Sequence, residues 1–365
     1  MKQTINIIEI DSRDDNYQSG ISRYFDVLAA GMPPRVKTFR IIFCHTNNNG
    51  EARILLNDDE LKVFHPHAFP AACLYEAVLT FIGKRLAEMD NLIVKSNCLG
   101  FESLAYLIKS RFYCKTMGVL HCLPQHSLKF GGFPPANPFR NMDHIILVCD
   151  RGREYLGGVK NKRPFSIIRN GIPKPETKAK ESGGDDVFRF IFANGWARHK
   201  GFLKILPAIR KVAEKHKIEV MVLGGENKGD EIPGEISELP IIKTGLIDDI
   251  RKIEHYYKTA DCALFASESE ACSFAGIEAM AHNLPIVSTD AAGLVEMFGK
   301  AALFVKMNER KEINTTDYAA QMIKIIENKR LRIKLGIFGY ARYFGGYTAG
   351  KMIKDTVALY EKLLK

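Results

Sequence analysis

The sequence predicts an α/β protein made of two Rossmann-like domains with a cleft between them. Three observations lead to that class. Short runs rich in Ile and Val alternate with helix-period segments along most of the chain, the pattern of parallel sheets covered by helices. The 365 residues exceed what one hydrophobic core usually holds, and domains of roughly 100–200 residues are the norm. The alternation also stops once, at NGIPKPETKAKESGGDDV (170–187), and then restarts. Pro, Gly, Lys and Glu without apolar periodicity mark a linker there. The expected division is an N-terminal domain over 1–172, a linker over 173–187 and a C-terminal domain over 188–346. A last helix, about 347–365, can pack back on the first domain.

In the first half, the strands fall at Ile5–Ile10, Phe39–His45, Leu61–His65, Asn91–Ser96, Thr116–Cys122, His144–Asp150 and Phe165–Arg169. Helices fit Gly20–Ala30, Ala72–Met89, Glu102–Arg111 and Arg151–Leu156. Near-continuous apolar strands such as HIILVCD suit a sheet covered on both faces. In the second half, strands are expected at Phe188–Ala193, Ile218–Leu223, Ile241–Thr244, Cys262–Ala266 and Pro285–Ser288. Helices are expected at Phe202–Lys215, Asp248–Thr259 and Ala275–His282, and the tail from Tyr318 reads as successive helices broken near Phe344–Tyr347. Ligands of such open sheets sit beyond the carboxyl ends of the strands, so the loops after strands are where chemistry belongs.

Composition narrows the class. Hydrophobic residues make up 46% and charged residues 26%, as in an ordinary globular protein. The eight cysteines are scattered and none is spaced as CxxC, which points to reduced thiols rather than a zinc site or a disulfide framework. The opening apolar run is too short for a signal peptide, and no stretch reaches the ~18 apolar residues of a membrane span. The expected location is the cytoplasm, with peripheral contact at the inner face of the membrane left open. A net charge of +10 suggests an anionic partner: a phosphate-bearing substrate, an anionic lipid surface or nucleic acid. Between 105 and 165, ten basic residues from Lys109 to Arg163 face three acids. That excess reads either as a solvated basic face or as one that meets an anionic membrane surface or acidic acceptor. Nucleic acid is not expected, because no aromatic-interleaved basic motif is visible.

The most informative stretch is ESEACSFAGIEAMAHNLPIV, 268–287. It follows a strand and contains a helix start surrounded by Ala271, Ser273, Ala275 and Gly276. Small residues let a ligand approach the backbone, and the amide groups and positive pole of a helix start suit a pyrophosphate. Glu270 and Glu278 flank this turn, eight positions apart. The spacing alone favours a capped helix with surface acids, since Glu is common.

The wider context resembles the retaining glycosyltransferases of family 4, which have the GT-B fold. Their signature of Ser, Glu-x7-Glu-Ala-Met-Ala, a turn residue and x-Pro-Val-Val is similar to Ser267, Glu270 to Glu278, Ala279-Met280-Ala281, Asn283 and Pro285-Ile286-Val287 here. Asn283 stands where the family usually has Gly, and Asn is the next-best residue for a left-handed helix end. Ser288-Thr289 to Gly293 and Glu296 resembles the segment that follows. Lys200-Gly201 resembles the end of the phosphate-contacting loop, Asn170-Gly171-Ile172 the close of the N-terminal domain, and LGGEN (223–227) a strand end facing the nucleotide. Ser19-Gly20-Ile21-Ser22-Arg23-Tyr24 looks like the glycine loop facing the donor phosphates, and GVLHCLP puts His121 at the family's strand-end histidine.

The resemblance implies retaining transfer of a hexose-type sugar from a nucleotide-diphosphate donor held by the C-terminal domain. The acceptor would be a sugar, lipid-linked or peptide hydroxyl in glycan, glycolipid or glycoconjugate synthesis. Lys200, Arg198, Gly20 and helix-start amides near Ser273 and Phe274 would meet the diphosphate. Glu278 would bind the ribose, Glu270 the sugar, and His121 the sugar or its developing charge. No metal and no cofactor beyond the donor are expected, since no D-x-D motif is present to hold a cation. The chain departs from the family at Gly195, where an Arg is usual, and at Ala271-Cys272-Ser273, where Gly-Phe-Gly is usual. A silent partner subunit of a transferase complex and a nucleotide-sugar epimerase remain the alternatives.

Overall fold

The computed structural model describes residues 3–14, 20–45, 51–56, 59–64, 71–97, 102–121, 139–158, 160–176, 186–225, 234–247 and 249–365. The chain divides into two compact units, 1–170 with 349–365 and 171–348.

The first unit contains β1 (Ile5–Asp14), α1 (Gly20–Gly31), β2 (Val36–His45), β3 (Glu51–Leu56), β4 (Asp59–Phe64) and α2 (Ala71–Ala87). Then come β5 (Leu92–Ser96), α3 (Glu102–Arg111), β6 (Cys114–Leu120), β7 (His144–Leu147), α4 (Gly152–Gly158) and β8 (Phe165–Ile167). The strands form one sheet in the order β4-β3-β2-β1-β5-β6-β7-β8. From β2 to β8 the pairing is parallel, while β3 lies antiparallel to both β2 and β4. Every residue of β5 and β7 is buried, as expected of strands covered on both faces. The order turns back between β1 and β5, which makes the ends of those strands a switch point where ligands collect in open sheets.

A buried ion pair lies under this switch point. Lys95 of β5, fully buried, donates to Glu9 of β1 over 2.8 Å. Asn97 donates to the other carboxylate oxygen of Glu9 over 2.7 Å. The hydroxyls of Tyr24 and Tyr360 stand 3.3 and 3.4 Å from the ammonium. Burial alone would discharge Lys95, but the Glu9 carboxylate and both tyrosines offset it and hold the ammonium well above the usual lysine range. Tyr360 belongs to α11 (Ala349–Leu363), so the last helix of the chain completes this cluster in the first unit.

The second unit contains β9 (Phe188–Phe192), α5 (Leu206–Ala213), β10 (Ile218–Val222), β11 (Ile241–Lys243), α6 (Ile250–Thr259), β12 (Cys262–Phe265) and α7 (Phe274–Ala281). β13 (Ile286–Thr289), α8 (Ala292–Phe298), β14 (Ala302–Val305), α9 (Thr315–Glu327) and α10 (Lys329–Gly346) complete it. Its sheet runs β11-β10-β9-β12-β13-β14 and is parallel throughout. Phe190, Phe192, Trp196, Phe202 and Ile209 build its core with Tyr318 and Met322 of α9. Local chemistry sets the helix starts: Asp249, Asn314 and Asn328 accept N-terminal backbone amides of α6, α9 and α10, the usual work of a capping oxygen. Asn283 takes φ +57° after α7, the left-handed helix end anticipated for it.

Three elements were not anticipated. β3 is hidden by Glu51, Arg53 and the acidic residues that follow, which break the apolar alternation. α8 and β14 are short, at 7 and 4 residues. The predicted helix from Phe202 opens as a short 3-10 turn over Phe202–Ile205 and becomes α-helical at Leu206, where Pro207 fits the first turn.

Candidate active site

In the second sheet the chain order reverses between β9 and β12, so the loops after these two strands are the ones expected to carry a ligand. They hold the motif residues. The β9 loop turns at Gly195 (φ +68°) and runs into a 3-10 turn, Arg198–Lys200. A left-handed backbone favours Gly over Arg at 195, which accounts for that departure from the family pattern. Gly201 follows at φ +79°, and a Cβ there would stand 2.1 Å from the Ala266 carbonyl oxygen. That close approach seats the β9 loop on the end of β12. The backbone amide of Glu268 donating to His199 O (3.1 Å) and the Lys204–Glu268 ion pair (2.7 Å) hold the two loops together.

Lys200 donates directly to Glu270 Oε1, joining the two loops across the switch point. Ser267, fully buried at the end of β12, donates to the same oxygen over 3.2 Å. The sequence reading gave Lys200 and Glu270 separate partners; the structure brings them together as a pair 70 positions apart. Arg198 is exposed on the same turn.

α7 begins at Phe274, one residue earlier than expected, and Ser273 caps it by accepting the Gly276 amide over 3.3 Å. The hydroxyl of Ser273 is therefore engaged in capping, and the positive pole of the helix points toward the loop that carries Glu270. Phe274 is buried. Glu278 lies inside the helix, only 5% exposed. Tyr257 of α6 donates its hydroxyl to Glu278 Oε2 over 2.8 Å. The Tyr257 ring stacks on His282 with centroids 5.1 Å apart and planes 14° from parallel. His282 in turn meets the Glu278 carbonyl oxygen through Nδ1 at 2.8 Å, and burial pushes its imidazole below the usual range. Tyr257 thus orients the second glutamate of the motif. Nothing in its local sequence marks it, because the contact spans 21 positions and depends on how α6 packs beside α7.

His121 belongs to the other unit and directly follows β6. Its ring stands edge-on to Tyr24, centroids 4.7 Å apart, and Tyr24 itself lies under the Lys95 ammonium at 4.8 Å. Its Nε2 is buried without a hydrogen-bond partner among the described residues, an arrangement that calls for a ligand or another explanation. Burial, then the nearby Lys95 charge, push the imidazole down to about 3. It is therefore neutral at ordinary pH, with one nitrogen able to donate and the other to accept. Gly20 is the first residue of α1. Ser19 of the expected glycine loop and residues 226–227 of LGGEN lie outside the described residues.

Residues 188–328, the stretch that holds Lys200, Glu270 and Glu278, match the sequence model of the family described as glycosyl transferases group 1. An uncharacterized glycosyltransferase of Methanocaldococcus jannaschii is 25% identical over 119 residues, spanning 31% of this chain and 30% of that protein. Among solved structures, sucrose-phosphate synthase from Thermosynechococcus elongatus is similar with a TM-score of 0.71 and 15% identity, over 98% of this chain and 99% of that one. A glycosyltransferase from Rickettsia africae gives 0.71 and 14%, covering 100% of both chains. HepE from Anabaena, solved with UDP, gives 0.70 and 14% over 98% of this chain and 100% of that one. At these identities the likeness shows the fold: two Rossmann-like α/β units of the GT-B type.

Proposed function

We propose that this chain is a retaining, metal-independent glycosyltransferase that moves a hexose-type sugar from a nucleotide-diphosphate donor to a hydroxyl acceptor. The observation that carries the reading is the Lys200–Glu270 pair at the β9/β12 switch point, with Glu270 eight positions in sequence from the buried Glu278. In this account the bond between the sugar C1 and the β-phosphate oxygen breaks, and its electron pair leaves with the nucleoside diphosphate. The acceptor oxygen bonds to C1 on the same face, and its proton passes to the departing phosphate. The ammonium of Lys200, held in place by Glu270 before the donor arrives, meets the growing negative charge without having to reorganise. Arg198 and the start of α7 near Ser273 and Phe274 add positive potential at the diphosphate.

Glu278 receives the ribose hydroxyls, with Tyr257 fixing its carboxylate, and Glu270 orients the sugar. His121 of the first unit, neutral and with no hydrogen-bond partner for Nε2 among the described residues, is available to a sugar hydroxyl. The acceptor is a sugar, lipid-linked or peptide hydroxyl, and the setting is glycan or glycoconjugate synthesis in the cytoplasm. UDP is the first nucleotide to test, because the Anabaena neighbour was solved with it. Calorimetric titration of UDP into the Glu278→Ala variant is expected to show a loss of about 1–3 kcal/mol, the range for a buried hydrogen bond to a charged group. Tyr257→Phe should weaken binding in the same direction and by less. Unchanged affinity in Glu278→Ala would remove the ribose role.

A further inference from the structure

Helix α10 carries two apolar faces. Leu335, Gly336, Gly339 and Tyr343 are buried. The glycines allow a tight seat: a Cβ at Gly336 would stand 2.2 Å from the Asn283 carbonyl oxygen, and one at Gly339 3.5 Å from the Met280 Cα. On the other side Ile333, Ile337 and Phe344 are 55%, 59% and 69% exposed. At about 100° per residue these three fall within about 40° of one another, in a stripe about 16 Å long. A helix whose second face is also apolar has surface that its own fold does not bury.

The charge on this helix is one-sided. Its 18 residues include five Lys or Arg and no Asp or Glu. Arg332 and Arg342 donate to backbone carbonyls at 325–326 and 296–297. Lys329, Arg330 and Lys334 have no carboxylate partner among the described residues, and the same helical arithmetic puts Arg330 and Lys334 along one border of the stripe. The basic stretch of the first unit is different. There Lys109, Arg111, Arg151 and Arg153 are paired with Asp143, Glu76, Glu154 and Asp150, so its excess of charge is partly cancelled.

We infer that this face of α10 docks the protein on an anionic lipid bilayer. Ile333, Ile337 and Phe344 enter the boundary between headgroups and acyl chains, and Arg330 and Lys334 meet the lipid charge. An apolar stripe edged by cations is what helices lying in a membrane interface present. No helix among the described residues is long and apolar enough to cross a membrane, so the contact is a surface one. A second copy of the chain fits less well, because it would bring an equally basic helix, with five Lys or Arg and no Asp or Glu, against this one.

The test is sedimentation of the full chain with vesicles of phosphatidylcholine, with and without phosphatidylglycerol, in the absence of any donor. Binding to the anionic vesicles, weak binding to the neutral ones and loss of binding with added salt are expected. The double variant Ile337→Asp/Phe344→Asp, and separately Arg330→Glu/Lys334→Glu, should each weaken vesicle binding by about 10-fold or more. Both should leave UDP affinity and melting temperature unchanged, which separates this inference from the transfer reading. Reversal of Lys160, Lys162 and Arg163 to Glu should have little effect. Absence of binding to anionic vesicles at low salt overturns the inference, as does binding that neither α10 variant weakens. A dimer in solution that Ile337→Asp/Phe344→Asp dissolves would assign the face to a second copy and overturn it as well.

Discussion

Replacing Lys95 with methionine is expected to cost the first unit about 3–5 kcal/mol, the loss seen when one partner of a buried ion pair is removed. The ammonium is completely buried, and without it the Glu9 carboxylate keeps Asn97 as a hydrogen-bond donor among the described residues while being only 3% exposed. The Tyr24 and Tyr360 hydroxyls lose their shared neighbour at the same time. Native-state hydrogen exchange of the β1 and β5 amides reads this unit alone. Combining Lys95→Met with Glu9→Gln should recover most of the loss, since removing both charges spares the cost of an unpaired one. A loss below about 1 kcal/mol would show that the pair contributes no more than a surface pair does.

The second large effect is on turnover. Lys200→Ala is expected to slow transfer by about 100-fold or more, as for loss of one preorganised group that stabilises developing charge. Affinity for the intact nucleotide sugar should fall much less, because the charge that Lys200 meets grows mainly as the sugar leaves. Lys200→Arg keeps a cation but not the compact ammonium that reaches Glu270, so it should restore only part of the rate. If Arg198→Ala proves far more damaging than Lys200→Ala, the diphosphate lies on Arg198, and the Lys200–Glu270 pair is structural.

What could be read in the sequence was what lies close along the chain. Glu270, Ser273, Phe274 and Glu278 sit in one strand-to-helix segment, and Lys200-Gly201 in another. Their local chemistry, a capping hydroxyl, small residues at a helix start and a glycine that must turn left-handed, is legible without a fold. The contacts that join these segments were not. Lys200 reaches Glu270 because β9 and β12 are sheet neighbours, and pairing order leaves no trace in either segment. Tyr257 orients Glu278 through helix packing, and Tyr360 reaches Lys95 across 265 positions. The basic stretch from Lys109 to Arg163 was legible as an excess of charge, but Glu76, which pairs with Arg111, lies outside it. The apolar periodicity of α10, by contrast, was read simply as a tail helix, because period alone does not say which of two apolar faces is buried.

The most direct test of transfer is release of nucleoside diphosphate from a panel of nucleotide sugars by the pure chain in excess EDTA, with hydroxyl acceptors present. The account predicts that one donor is consumed, that added Mg²⁺ does not raise the rate, and that Glu278→Ala and Lys200→Ala lower it. Release that appears only after Mg²⁺ or Mn²⁺ is restored would contradict the metal-independent site built on Lys200 and the start of α7. No release from any donor, by a chain that still binds UDP, would contradict catalysis itself and leave a nucleotide-binding partner subunit.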